Sequence, residues 1–304
     1  MIDKYLKILK RGDVVAFPTE TVYGLGASAL NPDAIKKVFQ IKGRPADNPL
    51  IVHVSDLDMV YNFADDISPD TKELMDAFWP GPLTFVLPKK ATVLDIITAG
   101  LDTVAIRMPD HKLALRLIRH AGPLVAPSAN ISGKPSPTRL DHVKNDLGVD
   151  FPVVDGGPCE IGLESTVIDM SAEPYTILRP GHITAKDLES ILGKKVNITG
   201  SQEKEKPRSP GMKYSHYSPD ATVRWMDQDE VPNNPYTMYL FPSSPPHIGS
   251  ENANIKRYDN NFADFARDLY DRFRQADLQG FQELAIEKFE NYDALLNRIQ
   301  KAIG

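Results

Sequence analysis

The sequence predicts an α/β fold in two parts, and two observations support this. In the first two thirds of the chain, short runs rich in Val and Ile alternate with stretches whose apolar residues recur at helical spacing. A polar segment rich in Pro, Gly and Ser, residues 197–220, then precedes a second and shorter alternation. Such alternation is typical of a sheet whose faces are covered by helices.

Apolar runs bounded by Pro or Gly predict the strands of the first part, and amphipathic stretches predict its helices. The strands are expected within residues 13–17, 49–54, 82–88, 103–109, 123–128, 165–170 and 175–181. The helices are expected within residues 31–43, 68–79, 111–122, 136–148 and 182–195. Ser68 or Asp70 can cap the second of these helices, and Gly193 is expected to end the last one.

The second part repeats the pattern on a smaller scale. Residues 222–227, 236–242 and 283–289 are predicted strands. One helix is expected from about Asn260, and another within residues 291–304. We therefore expect a second, small α/β domain.

Composition limits the classes of function. No run approaches the roughly 20 apolar residues that a membrane helix needs, and the N-terminus lacks the apolar core of a signal peptide. The single cysteine, Cys159, excludes an intrachain disulfide and a cysteine-based metal cluster, and we interpret it as structural. These features predict a cytoplasmic protein without membrane contact. The net charge of −6 argues against broad attraction to nucleic acid, although it allows a local basic pocket.

The stretch "FPTETVYGLGASAL", residues 17–30, breaks a strand pattern with two glycines, Gly24 and Gly26. A dinucleotide fingerprint needs its glycines directly between a strand and a helix, and here residues 18–23 intervene. A phosphate-binding P-loop sequence is absent from the chain. Two interpretations remain: a turn that needs positive φ at glycine, or a loop whose backbone and hydroxyl groups contact a ligand.

Basic residues at the ends of apolar runs are candidate anion ligands. Lys42 and Arg44, with Asn48, precede a buried strand and suit phosphate oxygens, although a solvated helix end would also explain the two cations. Arg107 and Arg179 lie within or at the end of strands. A buried guanidinium needs a partner, either a protein carboxylate or an anionic ligand.

Two polar segments suit hydrogen bonds to a small ligand. Residues 126–138 follow a strand and are dense in Ser, Asn, Gly and Pro, and Ser165 with Thr166 begins another strand. Ser128 lacks the surroundings of a hydrolase nucleophile. His53, within an apolar run, is by itself expected to be a core histidine.

In this order, the motifs "PTETVYGLG", "KGRPADNPL", "TVAIRMP", "PSAN" and "ESTVID" resemble those of the YrdC family, over about residues 1–195. "SPGMKYSHYSP" and the domain after it resemble the two-domain members, which are L-threonylcarbamoyladenylate synthases. The resemblance implies a large, twisted mixed-sheet domain in residues 1–196, a linker and lid in 197–220, and a small Rossmann-like α/β domain in 221–304.

The resemblance also implies an activity. Such enzymes join L-threonine, bicarbonate or CO2, and ATP, and release pyrophosphate. The product serves the N6-threonylcarbamoyl modification of adenosine 37 in tRNA, so a tRNA threonylcarbamoyl transferase is the expected recipient, with at most weak tRNA binding by this chain. Mg²⁺ is expected to arrive with ATP rather than on protein ligands.

The family's site residues can be carried over by motif. The threonine site falls on Thr21, His53, Arg107, Ala126 and Ser165. The ATP site falls on Arg44, Asn48, Thr103, Ser128, Ser136, Arg179 and the lid residue Tyr214, and the expected catalytic residues are Lys42 and Arg44.

Two alternatives stay open at the level of sequence. One is a non-enzymatic module that binds tRNA through the same basic pocket. The other is a carbamoyl-transfer enzyme for metallocentre assembly, which would need acylphosphatase-like and zinc-binding segments that a chain with one cysteine does not supply.

Overall fold

The structure is a computed structural model that describes residues 2–199, 217–227, 230–243 and 254–304. These residues form two compact units. The first holds residues 2–132 and 137–199, and the second holds residues 133–136 together with the described residues from 217 onward. Among the described residues, no helix has the length and apolar character needed to cross a membrane.

The first unit is built on a nine-stranded mixed sheet. Its strands are β1 (Val15–Phe17), β2 (Gly24–Ser28), β3 (Ile51–His53), β4 (Leu83–Pro88), β5 (Thr103–Arg107), β6 (Leu124–Val125), β7 (Thr166–Asp169), β8 (Thr176–Arg179) and β9 (Asn197–Ile198). They lie in the order β1-β2-β6-β3-β5-β4-β7-β8-β9. The predicted mixed α/β architecture is therefore confirmed.

Helices flank this sheet, and local sequence explains where several of them begin and end. They are α1 (Asp3–Lys10), α2 (Pro32–Lys42), α3 (Leu57–Val60), α4 (Pro69–Phe78), α5 (Asp95–Thr98), α6 (Lys112–Ala121), α7 (Leu140–Leu147) and α8 (Ala185–Leu192). The Ser68 side chain caps α4 by accepting from the Thr71 N–H, and Gly193 ends α8 in the left-handed conformation, as predicted. Helix α1 was not predicted.

Two apolar layers cover the sheet. The main core packs α2, α4 and α8 against residues such as Val52, Phe85 and Ile106. A second cluster packs Leu6 and Leu9 of α1 against Leu117 of α6 and the β1 strand.

The structure contradicts both interpretations of Gly24 and Gly26, a turn and a ligand-contacting loop. Gly24 and Gly26 do not form a ligand-contacting loop or a positive-φ turn, because they lie in β2, which pairs antiparallel with β1. A Cβ atom on Gly26 would lie 2.7 Å from the Phe17 ring, and one on Gly24 would lie 3.1 Å from Ala126 Cβ. Glycine is therefore used here for close packing across the sheet.

The second unit has its own four-stranded parallel sheet, in the order β10-β13-β11-β12. Its elements are β10 (Thr222–Trp225), β11 (Thr237–Phe241), β12 (Ile255–Arg257), α9 (Phe262–Leu278), β13 (Glu283–Ile286) and α10 (Asp293–Ile303). Helix α9, expected from about Asn260, begins at Phe262 and buries Phe265, Leu269, Tyr270 and Phe273 at helical spacing. Strand β12 was not predicted, and most of the expected linker lies outside the described residues.

Candidate functional site

One face of the large sheet combines an apolar centre with polar side chains. Because side chains alternate along a strand, Val104 and Ile106 of β5 face the main core, while residues 103, 105 and 107 face the other way. The centre of this other face is a separate cluster of buried residues: Ile51, Val86, Ala105, Val167 and Leu178. We call this surface the site face.

Arg107, at the carboxyl end of β5, is a buried cation of the site face. Its Nη1 donates to Thr21 Oγ1 at 2.9 Å, and its Nε donates to the Gly81 carbonyl at 3.2 Å. Its Nη2 lies 2.6 Å from Glu20 Oε1, in an ion pair whose side chains are 4% and 5% exposed. The sequence left two kinds of partner open for this guanidinium, and the structure supplies the protein carboxylate.

The threonines around Glu20 hold this contact in place. The Thr19 hydroxyl accepts the N–H groups of Thr21 and Val22, donates to the Val22 carbonyl, and lies 2.9 Å from Thr21 Oγ1. This turn, centred on Thr19, places both Glu20 and Thr21 in contact with Arg107.

Arg107 and Arg179 lie in one row across the sheet. Antiparallel pairing of Phe85 with Ile106 brings Thr84 opposite Arg107 in the continued register, and Thr84 and Arg179 both pair with Val167. With strands roughly 4.8 Å apart, the two arginine backbones are about 14 Å apart.

Ser165 links this row through hydrogen bonds. Arg179 donates from Nε to the Ser165 carbonyl at 3.1 Å and from Nη2 to Ser165 Oγ at 3.1 Å. Ser165 Oγ lies 2.8 Å from Thr84 Oγ1. The predicted residues Ser165 and Arg179 are therefore in direct contact, and Thr84 joins them to the middle of the site face.

His53 is paired in register with Arg107 and is buried. Burial, together with the nearby Arg107 charge, lowers its pKa to about 3. Its Nδ1 lies 3.3 Å from the Ile51 carbonyl, and its ring meets Phe17 edge-on. Near neutral pH the imidazole is thus uncharged, and it places a polar ring beside the Arg107 guanidinium.

Lys42, at the end of α2, is held by carbonyl groups. Its Nζ donates to the carbonyls of Ser128 and Asn130 at 2.5 and 2.6 Å. The side chain is only 2% exposed, and burial, with a smaller contribution from Arg44, lowers its pKa well below the usual lysine range. The predicted residues Lys42 and Ser128 are thus neighbours, although the contact uses the serine carbonyl rather than its hydroxyl.

Arg44 and Asn48 flank the start of β3. Arg44 Nη2 donates to the Pro49 carbonyl at 3.0 Å and approaches the Asn48 carbonyl at 3.4 Å. Asn48 is buried, and its Oδ1 has no hydrogen-bond partner within the described residues. A buried amide oxygen in this state is suited to a ligand donor or a water molecule.

Thr103 lies at the opposite end of β5 from Arg107, about 13 Å away along the strand. The parallel register of β3 with β5, which pairs Ile51 with Ala105, brings Thr103 level with Pro49 when it is continued. Thr103 therefore belongs with Arg44 and Asn48 rather than with Arg107.

The other predicted site residues are placed as follows. Ala126 directly follows β6, and its N–H donates to the Ile51 carbonyl at 3.1 Å. Ser136 is buried and belongs to the second unit. Tyr214 lies outside the described residues.

Glu20 and Thr84 are contacts that the sequence reasoning missed. The available signal for Glu20 was the need of a buried Arg107 for a counter-charge, together with a carboxylate between two threonines in "PTET". For Thr84 the signal was its place in strict alternation with apolar residues of "PLTFVLP".

Metal binding and thiol chemistry would each need a particular set of side chains. The described residues contain no group of three or more His, Cys, Asp or Glu side chains placed to hold a metal ion. Cys159 is buried, and burial raises the pKa of its thiol, which disfavours the thiolate nucleophile. The arrangement is instead suited to binding anionic and polar groups along the site face.

Comparison with known proteins covers both units. Residues 7–181 match the family model of the Sua5, YciO and YrdC proteins, described as "Telomere recombination". Residues 183–304 match a model described as "Threonylcarbamoyl-AMP synthase, C-terminal domain".

Individual relatives are named threonylcarbamoyl-AMP synthase, like the second of these models. The Bacillus subtilis threonylcarbamoyl-AMP synthase is 54% identical over 71% of this chain and 64% of its own length. The Pyrococcus abyssi threonylcarbamoyl-AMP synthase is 41% identical over 97% of this chain and 92% of its own. The crystal structure of P. abyssi Sua5 complexed with L-threonine superposes with a TM-score of 0.89, at 38% identity, over 99% of this chain and 94% of that one. The chain therefore belongs to the Sua5, YciO and YrdC family, and it has that family's two-domain form.

Proposed function

We propose that this protein is an L-threonylcarbamoyladenylate synthase, which makes threonylcarbamoyl-AMP and pyrophosphate from L-threonine, bicarbonate or CO2, and ATP. The observation that carries the proposal is the row of two buried arginines, Arg107 and Arg179, on the site face. Their separation suits two anionic substrates bound side by side. The likeness to a protein solved with L-threonine, over 99% of this chain, supports the same reading.

In this proposal Arg107 holds the threonine carboxylate. A guanidinium has five N–H groups. The hydrogen bonds to Thr21 and Gly81 use two of them, and Nη2, which is ion-paired with Glu20, makes no hydrogen bond within the described residues. The remaining N–H groups are suited to a carboxylate. Thr21, His53, Ala126 and Ser165 complete the threonine site, with His53 as a neutral polar group.

The nucleotide occupies the remaining predicted residues. Lys42 and Arg44, as the catalytic residues, and Arg179 offset charge on the triphosphate. Asn48, Thr103, Ser128, Ser136 and Tyr214 are proposed nucleotide contacts. Because a nearby anion favours the charged form of an amine, a phosphate close to Lys42 would restore the proton that burial disfavours. Mg²⁺ enters as part of the MgATP substrate and is not assigned to protein ligands.

The reaction then needs positioning more than covalent help. The threonine amine forms a carbamate with the carbon source, and a carbamate oxygen attacks the α-phosphorus of ATP. The bond from the α-phosphorus to the bridging oxygen breaks, and pyrophosphate leaves. The cationic groups lower the free energy of the transition state by neutralising charge that develops on the phosphates.

The product would pass to a tRNA threonylcarbamoyl transferase, in the cytoplasm as the sequence predicts. The alternative, a tRNA-binding module without enzymatic activity, is less well supported, because the full-length relatives are named as synthases. That alternative predicts tRNA affinity with a steep salt dependence, whereas the enzyme predicts turnover that needs threonine but no RNA.

The test is pyrophosphate release from ATP and bicarbonate, with L-threonine, with L-serine, and with neither. We expect release that depends on L-threonine and is weaker with L-serine. Absence of release together with retained, salt-sensitive tRNA binding would support the RNA-binding module instead.

A further inference from the structure

Glu20 borders both the site face and a cavity. Besides its ion pair with Arg107, Glu20 lines a pocket of about 310 Å³. Other residues around this pocket include Trp79, Gly81, Asp110, Glu160 and His182. The Glu20 side chain is 5% exposed, and it contacts Arg107 as well as lining this pocket.

The second carboxylate oxygen of Glu20 is unused. Oε1 lies 2.6 Å from Arg107 Nη2 in an ion pair that lacks hydrogen-bond geometry, and Oε2 is also buried without a hydrogen-bond partner in the described part of the chain. A buried carboxylate oxygen without a donor is costly, because water that would otherwise solvate it has been removed. Such an atom is suited to receive a donor from a ligand.

We propose that the Glu20 carboxylate accepts the proton that the threonine ammonium group must lose before its nitrogen can form the carbamate. This rests on the proposed function. In an α-amino acid, the ammonium and carboxylate groups share one carbon atom. A carboxylate bound to the free N–H groups of Arg107 therefore carries its ammonium group close to Glu20, which contacts the same guanidinium at 2.6 Å.

The step balances as one proton transfer followed by one addition. The ammonium N–H bond breaks, its proton forms an O–H bond on Glu20, and the nitrogen keeps the electron pair. That pair then forms the N–C bond. With bicarbonate, the second N–H proton leaves in the water that is lost. With CO2, the adduct is a carbamic acid, and its proton passes to water as the carbamate forms. The bound carboxylate promotes the transfer, since a second anion on one guanidinium repels the Glu20 charge and repulsion favours proton uptake.

Other ionisable groups also face Glu20. Arg107 contacts it directly, and the His111 and Cys159 side chains lie near enough to interact with its charge. Asp110, Glu160 and His182 line the adjoining pocket. This pocket offers a proton on Glu20 a way to solvent.

The test compares Glu20→Gln, Glu20→Asp and a control, Glu73→Gln, which removes an exposed carboxylate of α4 that does not line the pocket. The forward reaction is threonine-dependent pyrophosphate release, followed from about pH 7 to about pH 9. The reverse reaction is formation of ATP and the threonine carbamate from threonylcarbamoyl-AMP and pyrophosphate, which measures adenylyl transfer without the step that joins threonine to its carbon source.

For Glu20→Gln we expect forward kcat to fall by roughly 100- to 10,000-fold, the range for loss of a general base. Its forward rate should climb with pH, as free amine replaces ammonium in solution, while the reverse reaction stays within about threefold. Glu20→Asp should recover part of the rate with the wild-type pH profile, and the control should match the wild type.

Equal losses in the two directions, or a pH profile parallel to the wild type, would overturn the proposal and leave Glu20 as a positioning residue for Arg107. If the wild-type protein itself catalyses neither direction, the proposed synthase function fails, and the proton-transfer role fails with it.

Discussion

Arg107 and Glu20 form a buried ion pair, with 2.6 Å between Nη2 and Oε1 and side chains that are 4% and 5% exposed. The pair joins β5 to the loop after β1, two segments distant in sequence. Because the pair is buried, each charge is stabilised mainly by the other: if one were removed, the remaining charge would have neither solvent nor a counter-ion.

The stability of the fold should therefore depend on this pair as a unit. We expect Arg107→Met to lower the free energy of unfolding by roughly 3–5 kcal/mol, because the Glu20 charge is left buried and unpaired. The double variant Arg107→Met with Glu20→Leu should regain most of that loss, since a buried ion pair replaced by apolar side chains is often neutral. Urea denaturation measures both values, and a double variant no more stable than the single one would contradict the argument.

The two arginines of the row should affect different substrates. Lysine keeps the charge but cannot reproduce the planar fork of N–H donors. We expect Arg107→Lys to raise KM for threonine at least about tenfold with little change for ATP, and Arg179→Lys to do the reverse. Steady-state kinetics with each substrate varied in turn decides this. Similar losses for both substrates in both variants would count against separate sites.

His53 should make stability depend on pH. Its pKa in the folded protein is about 3, below the ordinary value of 6.5, so the unfolded chain binds the proton first as the pH falls. The wild type should lose stability as the pH falls below about 6.5, with the loss complete only below about 3. Relative to His53→Gln, the loss between about pH 7 and about pH 5 should be roughly 2 kcal/mol. Urea denaturation of both proteins at each pH measures it, and parallel curves would refute it.

Gly26 should resist even a methyl group. A Cβ atom there would lie 2.7 Å from the Phe17 ring and 3.2 Å from the Val15 carbonyl oxygen. We expect Gly26→Ala to destabilise the protein by roughly 1–3 kcal/mol, as overpacking usually does. Adding Phe17→Leu removes the ring edge and should restore part of the loss in thermal or urea unfolding. No restoration would mean that the clash is with the backbone instead.

Much of the architecture could be read from local patterns. The predicted strands around Val52, Phe85 and Ile106 form as expected, because alternation and runs of β-branched residues are properties of short segments. The start of α4 and the end of α8 were equally predictable, because Ser68 and Gly193 each act within one turn of the helix that they cap. Helix α1 was not predicted. Its apolar residues pack on α6, which is a contact between segments distant in sequence.

The candidate binding residues also divide into those whose grouping the motifs indicated and those whose place depends on tertiary packing. Resemblance by motif named Thr21, Arg107, Ser165 and Arg179, and the structure brings them into two hydrogen-bonded pairs, Thr21 with Arg107 and Ser165 with Arg179. Their assignment to substrates is still a prediction. Ser136 illustrates the limit, since its place in the second unit follows from long-range packing rather than from its neighbours in sequence.

The sequence by itself determined the order and type of the main elements, the family motifs and the presence of a cation that needed a partner at position 107. Only the tertiary structure decided that Glu20 is that partner, that Gly24 and Gly26 pack inside β2, and that Arg107 and Arg179 share one row. The physical reason is the separation along the chain over which each kind of interaction acts. Periodicity and capping act within a few residues, whereas ion pairing, register and close packing join segments that the chain keeps far apart.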